Sequence, residues 1–419
     1  MRQSEGSLRR AARWLGWFGA VALGWSGVAW AEEPALVAQP QGELLLRGRR
    51  FERQDFTADT NEHTLRQRLR LGMRLEKGPW SGLFQVQDVR LWGESQDTLG
   101  DFSAEGLDLH QGFVQWQPRE GLRLRLGRQE VNIEDQRLIG AVAWLEQARS
   151  LDAVTARYEA GALRADLLYT KLAEDSAQGG ALHAFDRDLF LLGGGYQVGE
   201  GLDLYLQVIV DMVDLGDQLQ RVTVGGHAKG SPLAGIKYHI EGYGQWGEQG
   251  KEGPAEARRD IQAYLVTASA QGELDVPTKP SLALFGDLLS GDEDLSDDRV
   301  EVFDTLLATN HKFYGEMDFF LNIPAHTGGR GLVDVGARLS DEPAQGLRVN
   351  LTFHDLRAAA EQEDGLTRFG QELDLQLVWK AAPGLTLDGV VAVFWPGELF
   401  EARGEEAERF VYMTIHKVF

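Results

Sequence analysis

The chain has 419 residues and no cysteine, so it can form no disulfide and lacks the thiol on which a bacterial lipid anchor is built. Its formal net charge of −22 disfavours a nucleic-acid partner. After residue 31 no run approaches the roughly 18 to 20 apolar residues that a spanning helix needs, and the mean hydropathy is negative, so any membrane crossing would be made by strands.

Residues 1–31 read as a secretory signal peptide. Arg9, Arg10 and Arg13 precede the apolar stretch Trp14 to Trp25, and Ala29-Trp30-Ala31 supplies a small-residue cleavage site before Glu32. Cleavage after Ala31 removes four arginines and one glutamate, leaving −25 on residues 32–419. No Pro/Gly/Ser-rich linker divides those residues, and a strand pattern runs from about Gln41 to Phe419, so 32–419 reads as one domain.

Along the chain, short and long connections alternate. The short ones are 76–79, 118–121, 159–161, 198–201, 229–232, the region 271–279, 340–346 and 381–384, all with Gly or Pro turn chemistry. The long ones lie near 51–62, 93–106, 130–149, 173–185, 212–218, 246–258, 291–328, 357–366 and 396–408. Eight short turns and nine long loops imply eighteen strands. The predicted fold is therefore all-β: a transmembrane antiparallel up-and-down β-barrel with short periplasmic turns and long extracellular loops. The 40-to-45-residue repeat of a β-propeller is absent.

Strand faces agree with lipid outside and water inside. Leu65, Leu69, Leu71, Met73 and Leu75 share one face, as do Leu122, Leu124 and Leu126, and then Leu202, Leu204, Leu206, Val208 and Val210. Between Gln87 and Asp88 the period slips, which reads as a β-bulge. The last strand puts Val411, Met413, Ile415 and Phe419 on one face and Tyr412, Thr414 and His416 on the other. Its terminal Phe419 resembles the signal read by the barrel insertion machinery, and the outward rows imply outer-membrane lipid and lipopolysaccharide as surroundings.

The inward face carries cations. Arg66, Arg68, Arg70 and Arg74 share the polar face of the second strand, and Arg123 and Arg125 that of the fifth. Arg157, Arg164, Lys237 and Arg348 have lumen parity on later strands, and Arg128 and Arg137 complete the predicted pathway set. Guanidinium is permanently charged and pairs with planar carboxylates through two hydrogen bonds, so a ladder of such groups suits passing an anion along by weak repeated contacts. Equally, these arginines can pair with inward acids, for which Asp88, Asp108, Asp166, Asp203, Glu241, Glu372 and Asp374 are available. Tyr205, Tyr243 and His239 could stack on sugar rings or simply fill space. Asp292 to Asp298 lacks the glycine and spacing of a calcium loop, and Gly193-Gly194-Gly195 sits in a strand, where it relieves crowding rather than cradling phosphate. Neither HExxH nor GxSxG is present.

Several segments resemble the alginate export family of outer-membrane porins. They are Leu83 to Gly93, Asp108-Leu109-His110-Gln111, Leu126 to Glu130, Asp135 to Gly140, Arg149-Ser150-Leu151-Asp152, Thr309 to Asp318, Glu372 to Leu375 and Phe394-Trp395-Pro396-Gly397. The resemblance implies an eighteen-stranded channel through which an anionic polyuronate, or a smaller anion, diffuses passively. Such a channel performs no covalent chemistry and needs no cofactor or metal. Rival readings are a general or small-anion porin, a structural or adhesive barrel, and a hydrolase embedded in the barrel. Every periplasmic turn is short, so constriction is expected from an external loop, best from 130–149 with Glu134, Asp135, Arg137 and Arg149.

Overall fold

The structure, a computed structural model, describes residues 34–52, 61–93, 107–173, 186–199, 201–214, 219–233, 235–250, 258–401 and 403–419. The expected signal segment 1–31 and cleavage site, and parts of several expected long loops, lie outside the described residues.

Eighteen strands form one closed antiparallel barrel. In chain order they are β1 (Val37–Glu52), β2 (Asn61–Lys77), β3 (Trp80–Leu91), β4 (Leu107–Arg119), β5 (Leu122–Gln129), β6 (Leu151–Ala160), β7 (Leu163–Ala173), β8 (Asp186–Val198), β9 (Leu202–Asp214), β10 (Leu219–Leu233), β11 (Ile236–Gly250), β12 (Arg258–Glu273), β13 (Ser281–Leu289), β14 (Leu332–Ala344), β15 (Leu347–Arg357), β16 (Arg368–Ala382), β17 (Leu385–Pro396) and β18 (Glu408–Val418). Each pairs with its sequence neighbour, and β1 also pairs with β18, from Glu43 opposite Val418 to Glu52 opposite Arg409, which closes the ring. A two-residue segment, Arg299–Val300, adds a short parallel pairing to β12. Among the described residues no helix is long and apolar enough to cross a membrane. The count and the parity of long and short connections are those expected.

Backbone chemistry fixes the periplasmic turns. Seven of the eight carry a glycine at positive φ, from 57° at Gly78 to 82° at Gly235, a conformation in which a β-carbon would be strained. Two turns are shorter than expected: residues 229–232 belong to β10, because the β10–β11 ladder continues through a register shift between Gly230 and Leu233, and residues 340–344 belong to β14, whose ladder to β15 continues through a shift between Asp341 and Ala344. The expected bulge at Gln87/Asp88 is also displaced. The β2–β3 register is unbroken there, and the irregularity lies on β4, where Leu109 and Gln111 oppose the consecutive residues Val86 and Gln85, leaving His110 as the extra residue.

The outward rows are bare of protein: Leu71, Leu126, Leu206 and Met413 expose between 54% and 71% of their surface. A hydrocarbon environment suits that face. Aromatic residues mark its two borders. Trp80 and Trp116, stacked at 5.8 Å, and exposed Trp379 lie by the periplasmic turns, while exposed Trp92, Trp246 and Trp395 lie at the opposite strand ends. The buried apolar cluster, by contrast, is inside the barrel, where loop residues such as Ile139, Phe303, Tyr314 and Phe320 meet inward wall residues such as Leu265 and Phe394.

Candidate functional site in the lumen

Two external loops fold into the barrel. The first, 130–149, is held compact by its own hydrogen bonds, Ile133 N to Ile139 O and Ala141 N to Asn132 Oδ1. Its backbone keeps Glu134, Gln136, Val142 and Ala148 at positive φ, which non-glycine residues sustain only where surrounding contacts over-determine them. The second, 290–331, lies beside it: Gly140 N donates to Leu307 O, Leu307 N to Leu138 O and Thr309 N to Gln136 O, and the Arg149 guanidinium donates to the carbonyls of Gly140 and Leu307. The expected inward fold of 130–149 is present. The inward fold of 290–331 was not expected.

Arg137, 6% exposed, reaches the far wall. Its guanidinium lies 2.8 Å from Asp287 on β13 and 3.3 Å from Glu241 on β11, donates to the Tyr314 hydroxyl at 3.1 Å, and stacks 3.6 Å over the Phe313 ring. Burial opposes its charge, but Asp287, Tyr314 and Glu241 outweigh that, so its pKa is raised and it stays charged. At the other end of the loop, Glu146, 1% exposed, accepts Arg47 of β1 at 2.8 Å and Arg66 of β2 at 3.4 Å. Arg47 also donates to Trp144 O and lies 3.8 Å over the Trp144 ring, while Arg68 donates to the carbonyls of Leu145 and Glu146. The second loop is tied by Arg221 to Asp304 at 2.5 Å and by Met317 N to the Glu372 carboxylate.

The predicted pathway residues thus divide. Arg66, Arg68 and Arg70 hold loop and wall together, Arg70 through Glu130 at 3.2 Å and Arg68 through the carbonyls of Leu145 and Glu146, while Glu43 of β1 pairs with Arg68 within the wall at 2.5 Å. Arg157 pairs with Asp166, and Arg164 with Glu134 and Asp203. Arg74, Arg123 and Arg348 pair with Glu76, Glu159 and Glu342 in the more open lumen near the periplasmic end. Among the described residues, Arg125 has the Gln115 amide oxygen and the face of Phe113 as partners and no carboxylate. Lys237 lines a cavity of about 990 Å³. Arg128 does not face the lumen. Its register partner Gly112 stands opposite outward Phe84, so it shares the outward row and pairs with Asp152 at 3.2 Å at the external rim. Asp88 is likewise outward, opposite Leu69, and pairs with Arg90. Tyr205 and Tyr243 lie under the loops, with hydroxyls on Asp166 and Glu241, and offer no ring face to the lumen. A β-carbon at Gly193 would stand 2.0 Å from the Tyr205 hydroxyl, which explains that glycine.

Cavities remain between loops and wall. One, about 990 Å³, is lined by Asp135, Lys237, His239, Glu273, Lys279, Lys312, Arg338, Asp341 and Arg348 among others; a second, about 320 Å³, shares Lys312, Phe313, Arg338 and Asn350 with it. Arg338, at this junction, was missed in the sequence although Val333, Val335 and Leu339 alternate with it as plainly as in the strands that were read.

Where the second loop meets β18 its packing is pH-sensitive. Burial pushes Glu316 up to about 7, with Asp374, Asp388 and Asp318 adding to the effect against His311; the Tyr412 hydroxyl donates to it. His311 lies under the Trp144 ring at 3.9 Å and bonds Asp318 at 2.5 Å; burial opposes its charge, but Asp318 and Glu316 outweigh that and raise it. Both values lie above those of the unfolded loop. Their contribution to docking is therefore complete at low pH and is lost as pH rises through about 7 for Glu316 and through the raised value for His311. We expect single-channel current noise from loop motion to grow between about pH 5 and 8 and the lower part of that rise to flatten in Glu316→Gln; identical profiles would place the titration elsewhere.

A closed antiparallel barrel with a bare apolar belt, aromatic borders and a polar, loop-narrowed lumen is an outer-membrane channel of the porin class. The chain belongs to the alginate export family, whose model matches residues 39–362. None of the curated proteins matches it in sequence. Its fold is similar to Pseudomonas aeruginosa OccK8 (OprE), with a TM-score of 0.58 and 11% identity over 91% of this chain and 98% of that one. It is also similar to Pseudomonas aeruginosa OpdO (0.59, 13%, 91% and 97%) and Acinetobacter baumannii OccAB1 (0.59, 12%, 91% and 96%).

Proposed function

We propose that this channel passes anionic saccharides of the uronate type by passive diffusion. One observation carries the reading beyond the family. Lys237, Lys279, Lys312 and Arg338 all line the 990 Å³ cavity, and among the described residues none of them has a carboxylate within ion-pair distance. Arg338 has the Thr352 hydroxyl at 3.0 Å and Lys312 a backbone carbonyl, so both can take a passing carboxylate without leaving a buried acid unpaired. The arginines that hold loops contribute shape, and these four supply free positive charge. Lipid and lipopolysaccharide surround the belt, and terminal Phe419, 71% exposed, is offered to the insertion machinery.

The test is block of ion current across a planar bilayer by oligouronates, with neutral oligosaccharides alongside. Losing a hydrogen bond to a charged group costs about 1.5 to 3 kcal/mol, so Arg338→Gln should raise the blocking concentration at least about tenfold. Large conductance with no oligouronate block in the parent would leave a general small-anion porin; equal block in parent and Arg338→Gln would remove this residue from the pathway.

A further inference from the structure

Three neighbouring strands bring an unusual set of side chains together under the first loop. Tyr205 and Asp203 of β9 stand opposite His227 and Lys229 of β10, which stand opposite Glu241 and His239 of β11. All face inward. His227 has a fully buried side chain, and neither of its ring nitrogens has a hydrogen-bond partner; Nε2 of His239 is also buried without one. A buried imidazole normally satisfies at least one nitrogen, since an unmade hydrogen bond costs about 1 to 3 kcal/mol. Donor atoms of His227, His239 and Glu241 lie within 4.8 Å of one another, and loop Glu134 and Asp203 approach Nε2 of His227 at 3.5 and 3.8 Å.

We propose that His227, His239 and Glu241 bind a divalent transition-metal ion of the kind that prefers imidazole, zinc being the reference case. Two imidazoles and a carboxylate are a common zinc donor set, with bonds near 2.0 to 2.2 Å, so the three side chains need close by only about an ångström. Because His227 has two free nitrogens, one takes the ion while the other donates to the Glu134–Asp203 pair, the arrangement that fixes a ligand histidine's tautomer. His239 lines the 990 Å³ cavity, which gives the ion a route in. The charges already there define what must yield. Arg164 pairs with Glu134 and Asp203 and Arg137 with Glu241, and both remain. Lys229 is 40% exposed and spans Glu134 and Asp203 at 3.4 Å each; its flexible ammonium is the group the ion displaces. With Glu134 among its outer partners, the ion ties the first loop to the β9–β11 wall. This inference does not rest on the saccharide reading and is measured without any saccharide.

The experiment uses the full barrel in detergent, without a histidine tag, stripped with chelator and dialysed. Zinc binding is read by competition with a chromophoric chelator, and cobalt by its visible absorption. One ion per barrel is expected, with tetrahedral cobalt bands. His227→Gln and His239→Gln should each weaken binding at least roughly tenfold, while Lys229→Gln should tighten it several-fold. Heat-dependent gel mobility reports that each variant has closed its barrel. Equal zinc binding by the parent and the His227→Gln/His239→Gln double variant, absence of stoichiometric binding in the parent, or weaker binding in a folded Lys229→Gln would each overturn the site.

Discussion

Arg137→Gln will widen the channel. Its single-channel conductance should exceed that of the parent, because the substitution removes the one side chain that pins the first loop to Asp287 and Glu241 across the lumen. Both acids are essentially buried, and stripping a buried ion pair of one partner costs about 3 to 5 kcal/mol because the remaining charge stays desolvated. Undocking the loop rehydrates those carboxylates, so the protein relaxes that way. The backbone ladders that close the barrel are untouched, and heat-dependent gel mobility should be unchanged. Arg137→Lys keeps the charge but loses the planar fork and the Phe313 stack, so it should fall between. If Arg137→Gln conducts like the parent, the loop is not what limits the current.

Glu146→Gln acts at the opposite end with a different signature. It leaves Arg47 and Arg66 without their shared carboxylate, and a loss of similar size, about 3 kcal/mol or more, should free residues 143–147 from the β1–β2 wall. Those guanidiniums then face the water path. Reversal potentials in a salt gradient should shift toward anions as well as conductance rising, whereas Arg137→Gln exposes acids and should shift them toward cations. The two variants have separate partners, so their effects on docking should add unless the loop undocks as one unit. A reversal potential unmoved in Glu146→Gln, with conductance raised, would show that the arginines refind acids among their neighbours, Glu43 being nearest to hand beside Arg68.

How far the sequence led can be read residue by residue. Strand number, faces and closure were legible because a wall between lipid and water writes period-two alternation into every strand, and eight turns announce themselves with glycine or proline. Arg128 was misplaced although it shares the parity of outward Leu122, Leu124 and Leu126, and Asp88 was misplaced because a bulge was expected at Gln87/Asp88 where the β2–β3 register is unbroken. Arg47 was missed because the run Leu44-Leu45-Leu46 masks alternation in β1, where Leu45 in fact faces inward at 4% exposure. Arg338 obeyed the same parity rule as the others and simply escaped notice. The partners of the arginines lay beyond reach for a deeper reason. Glu146, Asp304 and Glu316 belong to loops, and a loop's entry into a barrel is set by contacts across more than a hundred residues, such as Arg137 with Asp287 and with Glu241. The phenylalanines of 303–320 were the available signal, since a loop meant only for water has no use for Phe303, Phe319 and Phe320.

The ring has one joint with no hairpin across it, between β1 and β18, where lateral hydrogen bonds and side-chain contacts such as Phe51 on Phe410 take the place of a chain connection. Arg47 donates to Thr414 across that joint and at the same time to Glu146, while Tyr412 beside it donates to Glu316. Each infolded loop therefore works as an internal rivet on the weakest line of the cylinder. A barrel that unzips sideways must first expel both loops, so the parts that narrow the passage also resist rupture of its wall.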